Sequence, residues 1–237
     1  SATSVICQLM VSIMIRMPTT VTTEVISTAK IGLNRVLPGM KKSPWCDIRA
    51  IASRSEGAAR KAADALGIPK AYGSYEALLA DPEVEAIYNP LPNHLHVPLT
   101  LAAARAGKHV LCEKPISLTA EEAGQLRDAA GSVLIAEAFM VRFHPQWLRA
   151  RELVREGRIG TLRAVQAFFA YDNPDPANIR NRAEIGGGGL YDIGCYPIVA
   201  GRWFFESEPE RCIALIERDP AFRTDRLTSA LVDFGEG

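Results

Sequence analysis

Two groups of residues in this 237-residue chain have the types and spacing needed for proton chemistry. Lys114 follows the apolar run from His109 to Cys112, and a lysine just past the carboxyl end of a strand lies where open α/β sheets bind ligands. Asp192 and Tyr196 are four residues apart, so a helix would place them on one face. A phenol loses its proton more readily beside an ammonium group. If the fold brings Lys114 beside Tyr196, the two could act as a general acid/base pair.

The elements that must position these residues alternate between short apolar runs and alanine-rich helical patterns over the first half of the chain. This alternation predicts βαβ units and a parallel sheet. The predicted strands are Glu24–Ile26, Asp47–Ala52, Ala71–Tyr72, Val84–Tyr88, Val110–Cys112 and Val133–Ala136. The predicted helices are Ile31–Met40, a helix capped by Ser55 that ends at Gly67, Tyr75–Leu79, Val97–Ala106, and a helix that runs from the capping box at Thr119 to about Ala130.

The second half has a different pattern, which is typical of an α+β domain with a largely antiparallel sheet. We expect a helix from Pro145 to Gly157, a long strand from Leu162 to Tyr171, a helix opened by the glycines at 186–189, and strands at Cys212–Glu217 and Leu227–Phe234. The predicted domains are an N-terminal extension of unclear role (1–22), a first domain (23–136) and a second domain (137–237). The chain stops after its last strand, so we expect the second domain to be incomplete at its C-terminus.

Composition narrows the class of protein. Lys plus Arg and Asp plus Glu both number 27, which gives no electrostatic reason to expect nucleic acid or an anionic membrane as a partner. The apolar N-terminal segment, 5–15, is too short to span a bilayer. The five cysteines are scattered, with neither C-x-x-C spacing nor a Cys/His cluster, so we predict no metal site and a reducing, cytoplasmic setting.

Two motifs carry a family resemblance. The first motif consists of two runs, Asn89-Pro-Leu-Pro-Asn-His94 and His109-Val-Leu-Cys-Glu-Lys-Pro-Ile116. The second motif is Gly186-Gly-Gly-Gly-Leu-Tyr-Asp-Ile-Gly-Cys-Tyr196. In this order they resemble the Gfo/Idh/MocA family of NAD(P)-dependent oxidoreductases, and among these the xylose (aldose) dehydrogenase and dihydrodiol dehydrogenase types. The resemblance implies a Rossmann-type doubly wound parallel sheet. It also implies that Lys114 is the catalytic lysine and that Asp192 and Tyr196 belong to the substrate-side motif.

The cofactor site is the weaker part of the pattern. The turn after the first strand is Ser27-Thr28-Ala29-Lys30-Ile31-Gly32, in which only Gly32 matches the G-x-G-x-x-G fingerprint. From the residues alone an ordinary strand-to-helix turn is the better interpretation, but some members of the resembled family have this sequence. We therefore assign all six residues to cofactor binding.

The end of the second strand favours one cofactor over the other. Ser53 and Arg54 stand where an acidic residue would bind the ribose 2′-OH of NAD, and an arginine there accommodates the 2′-phosphate of NADP. We therefore predict NADP, with NAD as the alternative; Arg54 could also be a solvated residue at a helix start. The resemblance further implies cofactor contacts from the following residues: Pro90, Asn93, His96, Glu113, Lys114 and Arg182. For His96, a role at the start of a helix is the alternative.

The resulting hypothesis is an NADP-dependent oxidoreductase that transfers a hydride between a sugar or polyol carbon and the nicotinamide. Lys114 would stabilise the alkoxide, Tyr196 would act as general acid/base, and Asp192 would orient sugar hydroxyls. The alternatives are a non-catalytic NAD(P)-binding regulatory or sensor protein and an inactive fragment. Since members of the resembled family pair through the second-domain sheet, a homodimer or homotetramer is expected.

Overall fold

Six parallel strands form the sheet of the N-terminal unit, in the order β3-β2-β1-β4-β5-β6. The computed structural model describes residues 21–26, 32–131 and 133–235, with the backbone alone for 21–26. The strands are β1 (Val21–Ile26), β2 (Cys46–Ala52), β3 (Lys70–Tyr72), β4 (Ala86–Asn89), β5 (His109–Cys112) and β6 (Ile135–Glu137). This is the doubly wound order of a Rossmann fold, so the predicted fold class of this unit is confirmed.

Helices connect these strands where the sequence places them. They are α1 (Leu37–Met40), which continues a π-helical turn at Gly32–Val36, α2 (Glu56–Leu66), α3 (Tyr75–Leu79), α4 (His96–Arg105) and α5 (Ala120–Ala129). Short 3₁₀ turns lie at Asn93–Leu95 and Met140–Phe143. The N-caps of α2, α3 and α5 come from residues next to each helix. The hydroxyls of Ser55, Ser74 and Thr119 each accept a hydrogen bond from the backbone N–H three residues on.

The sheet is apolar on both faces. One hydrophobic cluster includes Leu37, Met40 and Ile51, and the other includes Leu78 and Ile87. Burial on both faces is expected of a parallel sheet covered by helices. The sheet therefore forms a rigid base, and the loops at its carboxyl edge carry the polar residues of the first motif.

The second unit begins at Pro145, and the first ends at His144. Its helices are α6 (Pro145–Arg155) and α7 (Cys195–Phe205), the latter preceded by a π-helical turn at Leu190–Gly194. Two 3₁₀ turns lie at Ile179–Asn181 and Ala183–Ile185. β7 (Arg211–Arg218) and β8 (Asp225–Asp233) pair antiparallel. A parallel sheet followed by a domain with an antiparallel sheet is the predicted class.

One predicted strand is wrong. Residues 162–171 are rich in apolar and aromatic side chains, but in the structure they are irregular, and Phe168 is 86% exposed. A strand needs a ladder partner for its N–H and C=O groups, not only β-prone side chains. Within the described residues the second-unit sheet consists of β7 and β8 alone, and this segment pairs with neither of them.

Candidate functional site

The first part of the candidate site lies at the carboxyl edge of the parallel sheet. Because the strands are parallel, the loops that follow β2, β4 and β5 lie at that edge. Gly32 is buried and opens the π-helical turn after β1. The predicted contacts of Ser27, Thr28, Ala29, Lys30 and Ile31 lie outside the described residues.

Ser53 and Arg54 follow β2 directly. The Ser53 amide donates to the Tyr72 carbonyl (3.0 Å), so the backbone here continues the β2–β3 pairing. Ser53 is buried, whereas Arg54 is exposed. Burial raises the pKa of Tyr75, and the positive charge of Arg54 acts in the opposite direction. The guanidinium thus supplies accessible positive charge at the carboxyl end of β2.

Lys114 follows β5 in a segment fixed at both ends. The Glu113 amide donates to the Asn89 carbonyl (2.9 Å), and the Tyr88 hydroxyl donates to Glu113 Oε1 (2.7 Å). The Lys114 amide donates to Glu113 Oε2 (3.3 Å), and the following peptide bond to Pro115 is cis. Burial raises the pKa of the Glu113 carboxyl, while Tyr88 and Lys114 act in the opposite direction. The backbone that carries the lysine is therefore tied to β4.

The loop after β4 lies beside this segment. Pro90 is buried, Asn93 opens a 3₁₀ turn, and His96 opens α4. Nδ1 of His96 lies 2.7 Å from the Pro115 carbonyl oxygen. Burial lowers the pKa of His96, and its backbone carbonyl contacts raise it. Among the predicted residues, the structure thus brings His96, Glu113 and Lys114 together at adjacent loops.

Asp192 lies in the second unit, with two partners that the sequence reasoning missed. Its Oδ2 accepts a hydrogen bond from the Tyr171 hydroxyl and forms an ion pair with Arg180 (Nε–Oδ2 2.8 Å). Burial and the Asp192 carboxylate together raise the pKa of Tyr171 to about 12. Tyr171 is therefore a protonated donor at any physiological pH, and it helps to fix the Asp192 carboxylate.

Tyr196 lies in the first turn of α7, and its ring packs against Phe169 with centroids 5.7 Å apart. Asp192, by contrast, lies in the π-helical turn that precedes α7. The two residues are therefore carried by one continuous helical segment, as predicted, but across a change of helix type. Arg182 forms an ion pair with Glu184 (2.7 Å).

The glycines at 186–189 make this arrangement possible. The Gly187 amide donates to the Arg182 carbonyl (2.9 Å), and the Gly188 amide donates to the Arg180 carbonyl (2.9 Å). A Cβ at Gly187 would lie 2.6 Å from each of these carbonyl oxygens. A side chain here would push the loop away, so the glycine brings Arg180 to Asp192.

Two family models match the chain. The model described as "Oxidoreductase family, NAD-binding Rossmann fold" matches residues 23–133, and "GFO/IDH/MocA C-terminal domain" matches residues 147–237. The chain belongs to the Gfo/Idh/MocA oxidoreductase family. In this Gfo/Idh/MocA chain, the motif that contains Lys114 lies in the first matched domain, and the motif that contains Asp192 lies in the second. The two matches confirm the resemblance found in the sequence.

Curated relatives cover most of the chain. An uncharacterized oxidoreductase of Rhizobium meliloti is 51% identical over 90% of this chain and 64% of its own length. A D-xylose 1-dehydrogenase (NADP(+)) of Haloferax volcanii is 42% identical over 90% of this chain and 66% of its own length. The chain thus spans slightly less than two thirds of these relatives.

A solved structure has the same fold. The 3-ketoreductase from Actinomadura kijaniata, in complex with NADP and TDP-benzene, matches with a TM-score of 0.85 and 34% sequence identity. The match covers 90% of this chain and 66% of the reductase chain.

Within residues 32–131 and 133–235, no helix is long and apolar enough to cross a membrane. No cluster of three or more metal-ligating side chains occurs in the part of the chain that the structure describes.

The partners of the motif residues are what the sequence reasoning missed. Tyr88 and Tyr171 bind acidic residues 25 and 21 positions away in the chain. No spacing rule joins residues so far apart, because their contact depends on the packed fold. For the partners of Asp192, the sequence contained one local signal: Arg180 lies two residues before the predicted Arg182.

Proposed function

We propose that this chain is an NADP-dependent oxidoreductase that transfers a hydride between the nicotinamide and a hydroxyl-bearing carbon of a sugar or polyol. The observation that carries the proposal is the lysine of the family motif, held at the carboxyl end of β5 in a Rossmann sheet. Support comes from two relatives: a D-xylose 1-dehydrogenase that uses NADP(+) and a 3-ketoreductase solved with NADP.

The residues at the carboxyl edge fit this cofactor. The buried Gly32 allows close approach of a phosphate to the backbone after β1, and the exposed Arg54 with Ser53 suits a 2′-phosphate. We assign Pro90 and Asn93, in the loop after β4, to the same site, together with the turn at 27–31 and Arg182. When bound, NADP supplies or accepts the hydride.

Three side chains would serve the substrate. The Lys114 ammonium stabilises the negative charge that develops on the substrate oxygen, since a fixed positive charge there lowers the barrier. Tyr196 exchanges the hydroxyl proton as general acid/base. Asp192, held by Tyr171 and Arg180, accepts hydrogen bonds from neighbouring sugar hydroxyls and orients the ring.

The proposal extends to setting and assembly. The scattered cysteines of the sequence suit a reducing, cytoplasmic setting. The apolar residues exposed on β7 and β8 suit an interface between copies of the chain, as a homodimer or homotetramer.

The test begins with fluorescence titration of the whole chain with NADPH and NADH. A panel of aldoses and polyols with NADP follows, and keto-sugars are tested with NADPH. Tight NADPH binding and turnover of a sugar are expected. Cofactor binding without turnover on any member of the panel would indicate a binding protein and overturn the enzymatic proposal.

The same assay tests the two proton-transfer residues. Lys114→Ala should reduce turnover to a small residual rate with NADPH binding retained, whereas Lys61→Ala, at an exposed position of α2, should leave both unchanged. Tyr196→Phe should lower the rate by roughly 10²–10⁴-fold, the usual contribution of a general acid/base. Full activity of either site variant would assign its role to another group.

A further inference from the structure

His96 connects the two loops that carry the most important residues of the first unit. It is 1% exposed. Its Nδ1 lies 2.7 Å from the Pro115 carbonyl oxygen, and its Nε2 lies 2.7 Å from the Leu91 carbonyl oxygen. Pro115 directly follows the lysine, and Leu91 lies in the loop after β4. One buried ring thus spans from one loop to the other.

The chemistry of these contacts is directional. A carbonyl oxygen only accepts hydrogen bonds, so each ring nitrogen must carry a proton to bind its carbonyl. A neutral imidazole holds one N–H and satisfies one carbonyl, and an imidazolium satisfies both. In either state both ring nitrogens face backbone carbonyl oxygens at 2.7 Å, so neither nitrogen is presented to a ligand.

The partner loop is itself fixed. Asn89, which is fully buried, donates through Nδ2 to the His96 carbonyl (3.2 Å) and to Thr100 Oγ1 (3.4 Å). Its Oδ1 accepts from the Leu91 amide (3.2 Å). The Leu91 carbonyl, which faces Nε2, therefore belongs to a backbone segment that Asn89 of β4 holds in place. His96 thus connects the segment that carries Lys114 to a rigid support.

The other anchors of the lysine segment complete the arrangement. Before the lysine, the Glu113 carboxylate binds the Tyr88 hydroxyl (2.7 Å). After it, the Ile116 amide donates to Glu137 Oε1 (2.8 Å), at the end of β6. His96 adds the tie to the β4 loop on the carboxyl side of Lys114. Its loss would remove the tie to the β4 loop, while the contact of Ile116 with Glu137 and the pairing of β4, β5 and β6 remain.

We propose that His96 is a positioning residue for Lys114, which holds the lysine segment at a fixed place relative to the loop after β4. The proposal rests on the proposed function, since it concerns how the lysine meets the substrate. The family resemblance implied a cofactor contact for His96. The buried geometry points instead to action through the lysine.

The test compares His96→Leu and His96→Gln in the whole chain, each made with Lys114 present and with Lys114→Ala. A Leu side chain fills the space without a donor, and a Gln amide donates to one carbonyl. With Lys114 present, His96→Leu should lower kcat by about 10- to 100-fold, as expected for a misplaced catalytic group. The KM for NADP should change little, and His96→Gln should recover part of the loss.

In the Lys114→Ala chain, His96→Leu should cost little of the residual rate, because residues that act as one unit are non-additive. Equal losses in the two backgrounds would show a merely structural role and overturn the proposal. So would an unchanged kcat in His96→Leu. Circular dichroism and thermal unfolding check that each variant is folded, and His96→Gln serves if His96→Leu is not.

A second readout does not need turnover. Reductive methylation with isotope-labelled formaldehyde makes each lysine visible by NMR, and Lys114→Arg assigns the Lys114 signal. His96→Gln should move that signal, and the signal of the exposed Lys61 should stay in place. A Lys114 signal that does not move would overturn the positioning role. An unmodified chain without turnover on any sugar would instead overturn the proposed function.

Discussion

Arg54 is the residue on which we propose that the choice of cofactor depends. Its guanidinium is exposed at the end of β2, where an acidic residue would select NAD. Arg54→Asp should weaken NADPH binding by about 10- to 100-fold, because a charge-assisted hydrogen bond contributes about 1.5–3 kcal/mol. NADH binding should improve, since a carboxylate can accept from the ribose 2′-OH. Paired fluorescence titrations give the ratio of the two dissociation constants.

A charge control separates local from general electrostatics. Arg60 lies on α2, is exposed and pairs with Asp64. Arg60→Asp changes the net charge by the same amount, so it should leave the NADPH to NADH ratio unchanged. An equal shift in both variants would mean that net charge, and not contact with the 2′-phosphate, sets the preference.

At the residue scale, the sequence predicts the motif residues but not their partners. Lys114 and Asp192 are recognisable because their neighbours form short contiguous patterns. The groups that hold them, Tyr88 for Glu113 and Tyr171 with Arg180 for Asp192, come from other elements. Their proximity depends on how sheet and loops pack, which local spacing does not encode.

At the element scale, the glycines at 186–189 hold Arg180 beside Asp192. Gly187 has the carbonyls of Arg180 and Arg182 so close that a Cβ would lie 2.6 Å from both oxygens. Backbone atoms on both sides cannot rotate away. Gly187→Ala should therefore destabilise the second unit by about 1–3 kcal/mol, the usual cost of overpacking. It should also separate Arg180 from Asp192. Thermal unfolding measures the loss of stability, and kcat/KM on a sugar turned over in the proposed assay measures the effect on Asp192.

Gly124 provides the matched control. It lies within α5, and a Cβ there would meet no atom within 4 Å. Gly124→Ala should be neutral or stabilise by up to about 1 kcal/mol, because alanine favours helix over glycine. If Gly187→Ala were as well tolerated as this control, close backbone approach would not explain the glycine run.

Elements with local signals were predictable, and those that depend on partners were not. Ser55 and Thr119 mark helix starts by chemistry that acts within three residues, and both caps form as predicted. The segment 162–171 has strand-like side chains, but a strand also needs a neighbouring backbone to pair with. The π-helical turns were missed as well, since apolar periodicity does not distinguish them from α-helix.

At the scale of the whole molecule, the described part of the second unit exposes an apolar sheet face. In the β7–β8 register Ile213 pairs with Leu231, and Leu227 faces the same side opposite Glu217. Leu215, between them, is 77% exposed. An aliphatic row of this kind is self-complementary about a twofold axis, so a second copy of the chain is the occupant that we propose.

Leu215→Lys tests that assembly. The parent chain should run as a dimer or tetramer in size-exclusion chromatography with light scattering. The variant should run as a monomer at micromolar concentration, since the interface would have to bury the charge of the lysine. Ile216→Lys, also on β7 but directed to the opposite face and 50% exposed, should keep the parent's mass. A monomeric parent, or equal dissociation in both variants, would contradict the assignment. Dissociation in Leu215→Lys alone would place the interface on the face that carries Ile213, Leu215 and Leu231.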